Sequence, residues 1–465
     1  MLASLRSRFF RSRISRPFPA GTSPRRLARP RSLAGLLAPA LFVPALLAPP
    51  VEAAEIQKVT SPGGIEAWLV QDDTVPLIAM DFAFRNAGSA QDPDGKEGLA
   101  NLLSSLLDEG AGDVKSADFQ AKLADLAVKM SFSASRDSFS GELTTLVENR
   151  DAAFDLLRLA LTEPRFDAEP VARMKAQVVS GIRRSERDPE AIAGRLWSKT
   201  VFPGHPYGRP TTGTEASVAA IAIPDLVDFR KRAFARDNLV VGVVGAIDAK
   251  TLGSLLDEAF GGLAAKAELK PIADVTPATG ARASEALAIP QTIIQFGAPG
   301  VKRADPDFIP AFVMNHILGG GTFSSRLFDE IREKRGLAYG VDTYLVAYDH
   351  AGLFAGGTST RAEKADETMA IIEAEVRRMA AEGPTAEELA GAKRFLTGSY
   401  PLRFDTSGKI ASQLVAIQLD ELGIDYIDKR NALIEAVTLE DVKRAAKRIL
   451  DQGELTVVTV GPKAA

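Results

Sequence analysis

The chain has 465 residues, enough for more than one hydrophobic core, and its 46% hydrophobic and 25% charged content is that of an ordinary globular protein. It contains no Cys, which excludes disulfides and thiol chemistry. Its formal charge of −4 leaves no basic surplus for binding nucleic acid.

Residues 1–50 carry nine Arg, no Lys and no acid, and end in the apolar run LAGLLAPALFVPALLAPP before VEAAE. An Arg-rich start, a short apolar segment and small residues at 51 and 53 describe an export signal over residues 1–53, cleaved near Ala53. A mitochondrial transit peptide is the competing reading, because such segments are also rich in Arg and Ser. The apolar run is too short and too interrupted by Pro to predict a stable membrane span. Loss of nine Arg and Glu52 moves the formal charge from −4 to −12, which speaks further against nucleic acid. The expected location is the periplasm.

The mature chain opens with two strand-like runs, IEAWLVQ and LIAMDFAFRNAG, followed by predicted helices over 99–107 and 118–126. MSFSASRDSFSGELTTL alternates small or polar with apolar residues, as strands with one wet face do. Helices are predicted over 149–161 and 170–187. Sliding the chain on itself by 216 residues aligns Val218–Gly245 with Ile434–Gly461 without a gap, with eight of 28 positions identical. Each copy reads as a helix with an acidic first turn, a break, and a buried strand ending in Gly. The chain is thus read as a tandem duplication of one α/β unit. The predicted divisions are 55–262, a linker over 263–288 rich in Ala, Pro and Thr, and 289–465. The second unit begins with ALAIPQTIIQFGAPG and a helix over 308–318. The strands GVDTYLVAYD and GLFAGGTST and helices over 364–382 and 386–396 complete the pattern.

A hydrolytic zinc site needs three protein ligands, yet the chain has only His205, His316 and His350, none at ligand spacing from another. Ser324 and Ser325 follow a Gly run without the elbow of a serine hydrolase. Gly319–Gly321 lacks the context of a phosphate loop and reads as a turn where two backbones approach. Arg332 and Tyr339, seven residues apart in GGGTFSSRLFDEIREKRGLAY, have two readings. They are a substrate-handling pair, or Arg332 is a helix residue paired with Asp329 or Glu333 and Tyr339 belongs to the core.

The segment 317–341 resembles the insulinase/pitrilysin family of zinc peptidases, in particular its short two-domain members such as mitochondrial processing peptidase and bacterial relatives. GLANLLSSLLDEGAGD is similar to the family's metal-site helix, GHPYGRPTTGT to its mid-domain loop and RDNLVVGVVGAID to its closing strand. The resemblance implies an α+β fold of two homologous tandem α/β domains, each a mainly antiparallel sheet covered by helices. The family's HxxEH motif falls on Asn101, Ser104 and Ser105, and its third ligand on Gly181, so every metal ligand and the general base are absent together. In the resemblance, Arg332 and Tyr339 match the pair that holds the substrate backbone and stabilises the oxyanion. What it implies is a non-metal-binding subunit acting on peptides beside a paralogous, zinc-bearing partner chain. A scaffold or peptide-binding protein without catalysis is the alternative.

Overall fold

The computed structural model describes residues 55–462, so the export signal expected over 1–53 lies outside the described residues. The first half begins with β1 (Ile56–Thr60), β2 (Glu66–Gln71), β3 (Leu77–Arg85), α1 (Leu99–Ser104), the short β4 (Gly110–Ala111) and β5 (Val114–Lys115), and α2 (Ser116–Asp125). Then come β6 (Lys129–Ala134), β7 (Ser138–Leu146), α3 (Arg150–Thr162), α4 (Ala168–Ser185) and α5 (Pro189–Val201). It closes with α6 (Glu215–Ala220), α7 (Ile223–Ala233), β8 (Leu239–Gly245) and α8 (Ala249–Phe260). Six strands form a sheet in the order β1-β2-β8-β3-β7-β6, with β2 and β8 parallel and the other pairs antiparallel. Because strand side chains alternate between faces, Ile78, Met80, Phe82 and Phe84 of β3 all enter one core. There Phe84 stacks on Phe234 with ring centroids 4.5 Å apart.

The second half comprises β9 (Arg282–Ala286), β10 (Gln291–Pro299), α9 (Phe308–Asn315), α10 (Arg326–Phe328), β11 (Ala338–Tyr348) and β12 (Ala351–Arg361). It continues through α11 (Ala365–Glu382), α12 (Ala386–Gly398), α13 (Ser407–Leu419), α14 (Tyr426–Ala436), α15 (Leu439–Leu450) and β13 (Thr456–Gly461). Its sheet order, β11-β12-β10-β13-β9, repeats β6-β7-β3-β8-β2 strand for strand, and β13 with β9 is again the parallel pair. The fold is therefore α+β, two homologous α/β units with mainly antiparallel sheets. The strand β9 lies inside the segment read from sequence as a linker. It is an edge strand whose RASEA side chains are largely exposed, so no apolar alternation marks it.

The two halves exchange a helix. α5, from the first half, packs on β10 and β13, while α13, from the second, packs on β3 and β8. Trp197 and Val201 meet Leu353, Ala355 and Val458, and Ile192 and Ala193 meet Val460. Reciprocally, Ala411 and Leu414 cover Val70 and Val244, and Val415 covers Ala83 and Val240. Each sheet thus carries its own helices on one face and a helix of the other half on the opposite face. Among the described residues no helix is long and apolar enough to cross a membrane.

Candidate functional site

Asn101 and Ser104 lie on the short helix α1 and Ser105 caps its end, and α1 packs against α4, the helix that carries Gly181. The start of α1 is fixed by the buried Asp92, whose carboxylate accepts the Gly98 and Ala100 N–H groups at 2.8 and 3.0 Å. Gly98 has φ of 91°, a left-handed conformation suited to Gly, and a Cβ there would strike the Thr212 carbonyl. The end of α1 is set by its serines. The Ser104 and Ser105 hydroxyls both donate to the Asn101 carbonyl, at 2.8 and 3.2 Å, and the helix stops at Ser104, short of the expected 107. One carboxamide, two hydroxyls turned back on their own helix and a residue without a side chain do not fit Zn²⁺, which takes His, Cys or carboxylate ligands. Among the described residues no group of three or more His, Cys, Asp or Glu is placed to hold a metal ion.

Arg332 and Tyr339 sit on the second half, at the junction of a π-helical turn, Asp329–Glu333, with β11. Gly336, with φ of 61°, turns the chain from one into the other. Its N–H donates to the Arg332 carbonyl at 3.0 Å, and the Leu337 N–H donates to the Ile331 carbonyl at 2.9 Å. The Arg332 guanidinium lies 4.9 Å from the ring centre of Phe328 and 5.8 Å from that of Phe323, and the two rings meet edge to face. Its contact with Glu333 is long, 3.8 Å, and that pair is weak. The next strand then breaks register between Ala338 and Val341, a β-bulge that turns Tyr339 into solvent, 87% exposed. Tyr339 is therefore not a core residue. The bulge is pinned by β12, where the Thr358 and Thr360 hydroxyls donate to the carbonyls of Gly340 and Leu337 at 2.7 and 2.8 Å.

The glycine run serves close approach. A Cβ on Gly319 would meet the Thr343 side chain of β11 at 2.5 Å, and one on Gly320 the Asn315 side chain at 2.5 Å. Asn315 in turn donates to the Thr343 carbonyl at 3.1 Å. The run thus lets a second π-helical turn, His316–Gly320, lie directly on the strand that presents Tyr339.

Each of the three histidines has other partners. His205 accepts the Tyr207 N–H at Nδ1, which makes Nε2 the donor to the Ala273 carbonyl at 3.0 Å, and burial holds its pKa below the ordinary value. His316 is buried and stacks on Phe395, while Nδ1 of His350 lies 3.2 Å from Asp274. Sequence reasoning reached Arg332 and Tyr339 but missed Phe323 and Phe328. The Phe328–Arg332 spacing of four residues was the available signal.

Comparison with known proteins matches residues 84–215 to the family described as insulinase (peptidase family M16) and residues 220–396 to the peptidase M16 inactive domain. A Helicobacter pylori protein named non-peptidase homolog YmxG is 28% identical over 403 residues, covering 84% of this chain and 91% of that protein. An uncharacterized zinc protease of Streptomyces coelicolor is 26% identical over 419 residues, covering 88% of this chain and 90% of that protein. The crystal structure of a peptidase M16 inactive domain from Pseudomonas fluorescens superimposes with a TM-score of 0.83 at 27% identity, over 88% of this chain and 98% of that one. A protease from Helicobacter pylori shares the fold, with a TM-score of 0.79 at 18% identity over 88% of this chain and 100% of that one. With the paired sheets and the repeat in place, and both family models matched along it, the chain belongs to the insulinase family, peptidase family M16.

Proposed function

We propose that this chain is the non-metal-binding subunit of a heteromeric zinc peptidase of the periplasm. In this reading, Arg332 and Tyr339 hold the backbone of a peptide and stabilise the oxyanion that develops at its carbonyl, while a zinc-bearing paralogue supplies the metal site. The observation that carries it is the exposed phenol of Tyr339, held out on a pinned bulge seven residues after an Arg whose guanidinium lies against the Phe323 and Phe328 rings. Donors aimed at a developing oxyanion contribute about 2.7–4 kcal/mol each, so fixing them in advance has a large effect on rate. The test is reconstitution with a paralogue that carries HxxEH. In the active mixture, Arg332→Ala and Tyr339→Phe should each lower kcat about 10²-fold or more without loss of assembly. Unchanged turnover in both variants refutes the assigned roles. The Arg-rich N-terminus supports export. Amino-terminal sequencing of the periplasmic protein should give a start near residue 54, and retention in the cytoplasm refutes the location.

A second reading, a scaffold or peptide-binding protein without catalysis, is favoured by the relative named a non-peptidase homolog. On it, affinity purification recovers a large assembly without a zinc peptidase.

A further inference from the structure

Away from Arg332 and Tyr339, a cavity of about 420 Å³ opens between the end of α4, one face of α5, the β6–β7 turn and the loop after Gly208. Arg136, Arg195, Lys199 and Arg209 line it, together with hydroxyls including Ser198 and Thr211, and no lining residue is acidic. That is unusual in a chain with 60 acidic and 56 basic residues.

The cations are also poorly neutralised. The Arg136 guanidinium donates to the Arg209 carbonyl at 3.2 Å and the Ser198 hydroxyl at 3.0 Å. Arg195 donates to the carbonyl and hydroxyl of Ser185 at 3.2 and 3.1 Å. Lys199 is exposed. Arg209 has a carboxylate partner, Asp94 at 2.6 Å, whose side chain is itself 88% exposed. Asp137, next to Arg136 in the chain, is turned away and accepts the Tyr207 hydroxyl and the Asp349 N–H. Four cationic side chains line one concavity and only Arg209 has a carboxylate partner, so like charges repel there and an anion among them relieves that repulsion.

We propose that this cavity binds a multiply charged oxyanion of the phosphate-ester class. A phosphate ester carries a charge of roughly −1.5 to −2 and three strong acceptor oxygens. Guanidinium forks match those oxygens two at a time, and the Ser198 and Thr211 hydroxyls offer further donors. A single carboxylate would leave most of this charge unanswered. The volume falls in the range of about 300–1,000 Å³ typical of small-molecule sites, so the ligand is a small phosphorylated molecule or a headgroup rather than a folded partner. The lining residues all belong to the first half, and the site abuts the second. Arg136 reaches 5.9 Å from the ring centre of Tyr348 on β11, and α5 is the helix exchanged onto the second sheet. The proposal is independent of the split-site reading.

The test is calorimetric titration of the full chain at low ionic strength with pyrophosphate and glycerol 3-phosphate, with acetate as the monoanion control. Both phosphates should bind and raise Tm, and the affinity should fall as salt is added. The double variant R195Q/K199Q, with an unchanged circular dichroism spectrum, should weaken pyrophosphate binding at least tenfold, and R136Q should do the same if it folds. No binding of pyrophosphate at millimolar concentration overturns the proposal, as does equal affinity in R195Q/K199Q or acetate binding as tight as pyrophosphate. Sedimentation with phosphatidylglycerol vesicles that depends on Arg195 and Lys199 assigns the phosphate to a lipid headgroup. Pyrophosphate binding without vesicle binding assigns it to a soluble ligand.

Discussion

Asp81 lies in mid-strand in β3, directly opposite Glu142 of β7, and its carboxyl is pushed up to about 7. Burial is the main cause and the facing Glu142 charge the second, while a hydrogen bond with Ser412 of α13 opposes them. A carboxyl raised by folding above its unfolded value of 3.8 binds its proton more tightly in the native state, so its contribution to stability declines as pH rises from about 4 to 7. Asp81→Asn removes that decline. Relative to the parent, the variant should gain on the order of 2 kcal/mol between pH 5 and pH 8 in urea unfolding. A constant difference between the two proteins across that range rules out this account. Single residues were legible in the sequence where their neighbours in the chain decide their setting. Arg332 and Tyr339 could be found because the helix, Gly336 and the strand are contiguous. The bulge that exposes Tyr339 could not, because Thr358 and Thr360 on the adjacent strand pin it. Likewise Arg195 and Lys199 stand one helical turn apart, but Arg136 and Arg209 join them only through the tertiary fold.

At the scale of elements, α13 depends on a missing side chain. A Cβ on Gly242 of β8 would lie 2.7 Å from the Ala411 carbonyl and 2.8 Å from Leu414 Cβ, so the helix sits on the strand at glycine distance. Gly242→Ala should therefore lift α13 and cost about 2 kcal/mol, seen as a lower Tm. Gly181→Ala has the opposite sign. Gly181 is interior to α4 with nothing within 4 Å of a Cβ, and alanine there should add up to about 1 kcal/mol. A Gly242→Ala protein as stable as the parent refutes the packing argument, and a destabilised Gly181→Ala refutes the open space beside α4. Strands and long helices followed from local pattern, since the alternation in MSFSASRDSFSGELTTL and the helical stripe of α15 are local. The π-helical turns before and within the Arg332 segment leave no periodic signature, and the exposed β9 leaves no apolar one.

For the whole molecule, the exchange of α5 and α13 makes each half the lid of the other half's sheet. Heating should give one calorimetric transition whose van't Hoff and calorimetric enthalpies agree, since neither half can open without uncovering the other. A fragment of residues 55–262 should expose Val70, Ala83, Val240 and Val244 and bind a hydrophobic dye. Two resolved transitions, or a well-folded fragment that leaves the dye unbound, contradict this. The duplication was legible because a 216-residue repeat of pattern is written in the chain itself. The exchange was not, because an amphipathic helix announces an apolar face without naming the sheet that will receive it.

The same exchange sets a timetable. Arg85, at the end of β3, donates to the carbonyls of Gln418 and Leu419, as much as 334 residues later in the chain. At synthesis rates of roughly 5–20 residues per second, about 20–70 s separate the appearance of that arginine from the appearance of its acceptors. During that interval the first sheet has no cover for one of its faces, and that exposed apolar face invites aggregation. A chain built this way gains from being kept unfolded until its last hundred residues are made, which is also the condition in which a polypeptide is threaded through a translocation channel.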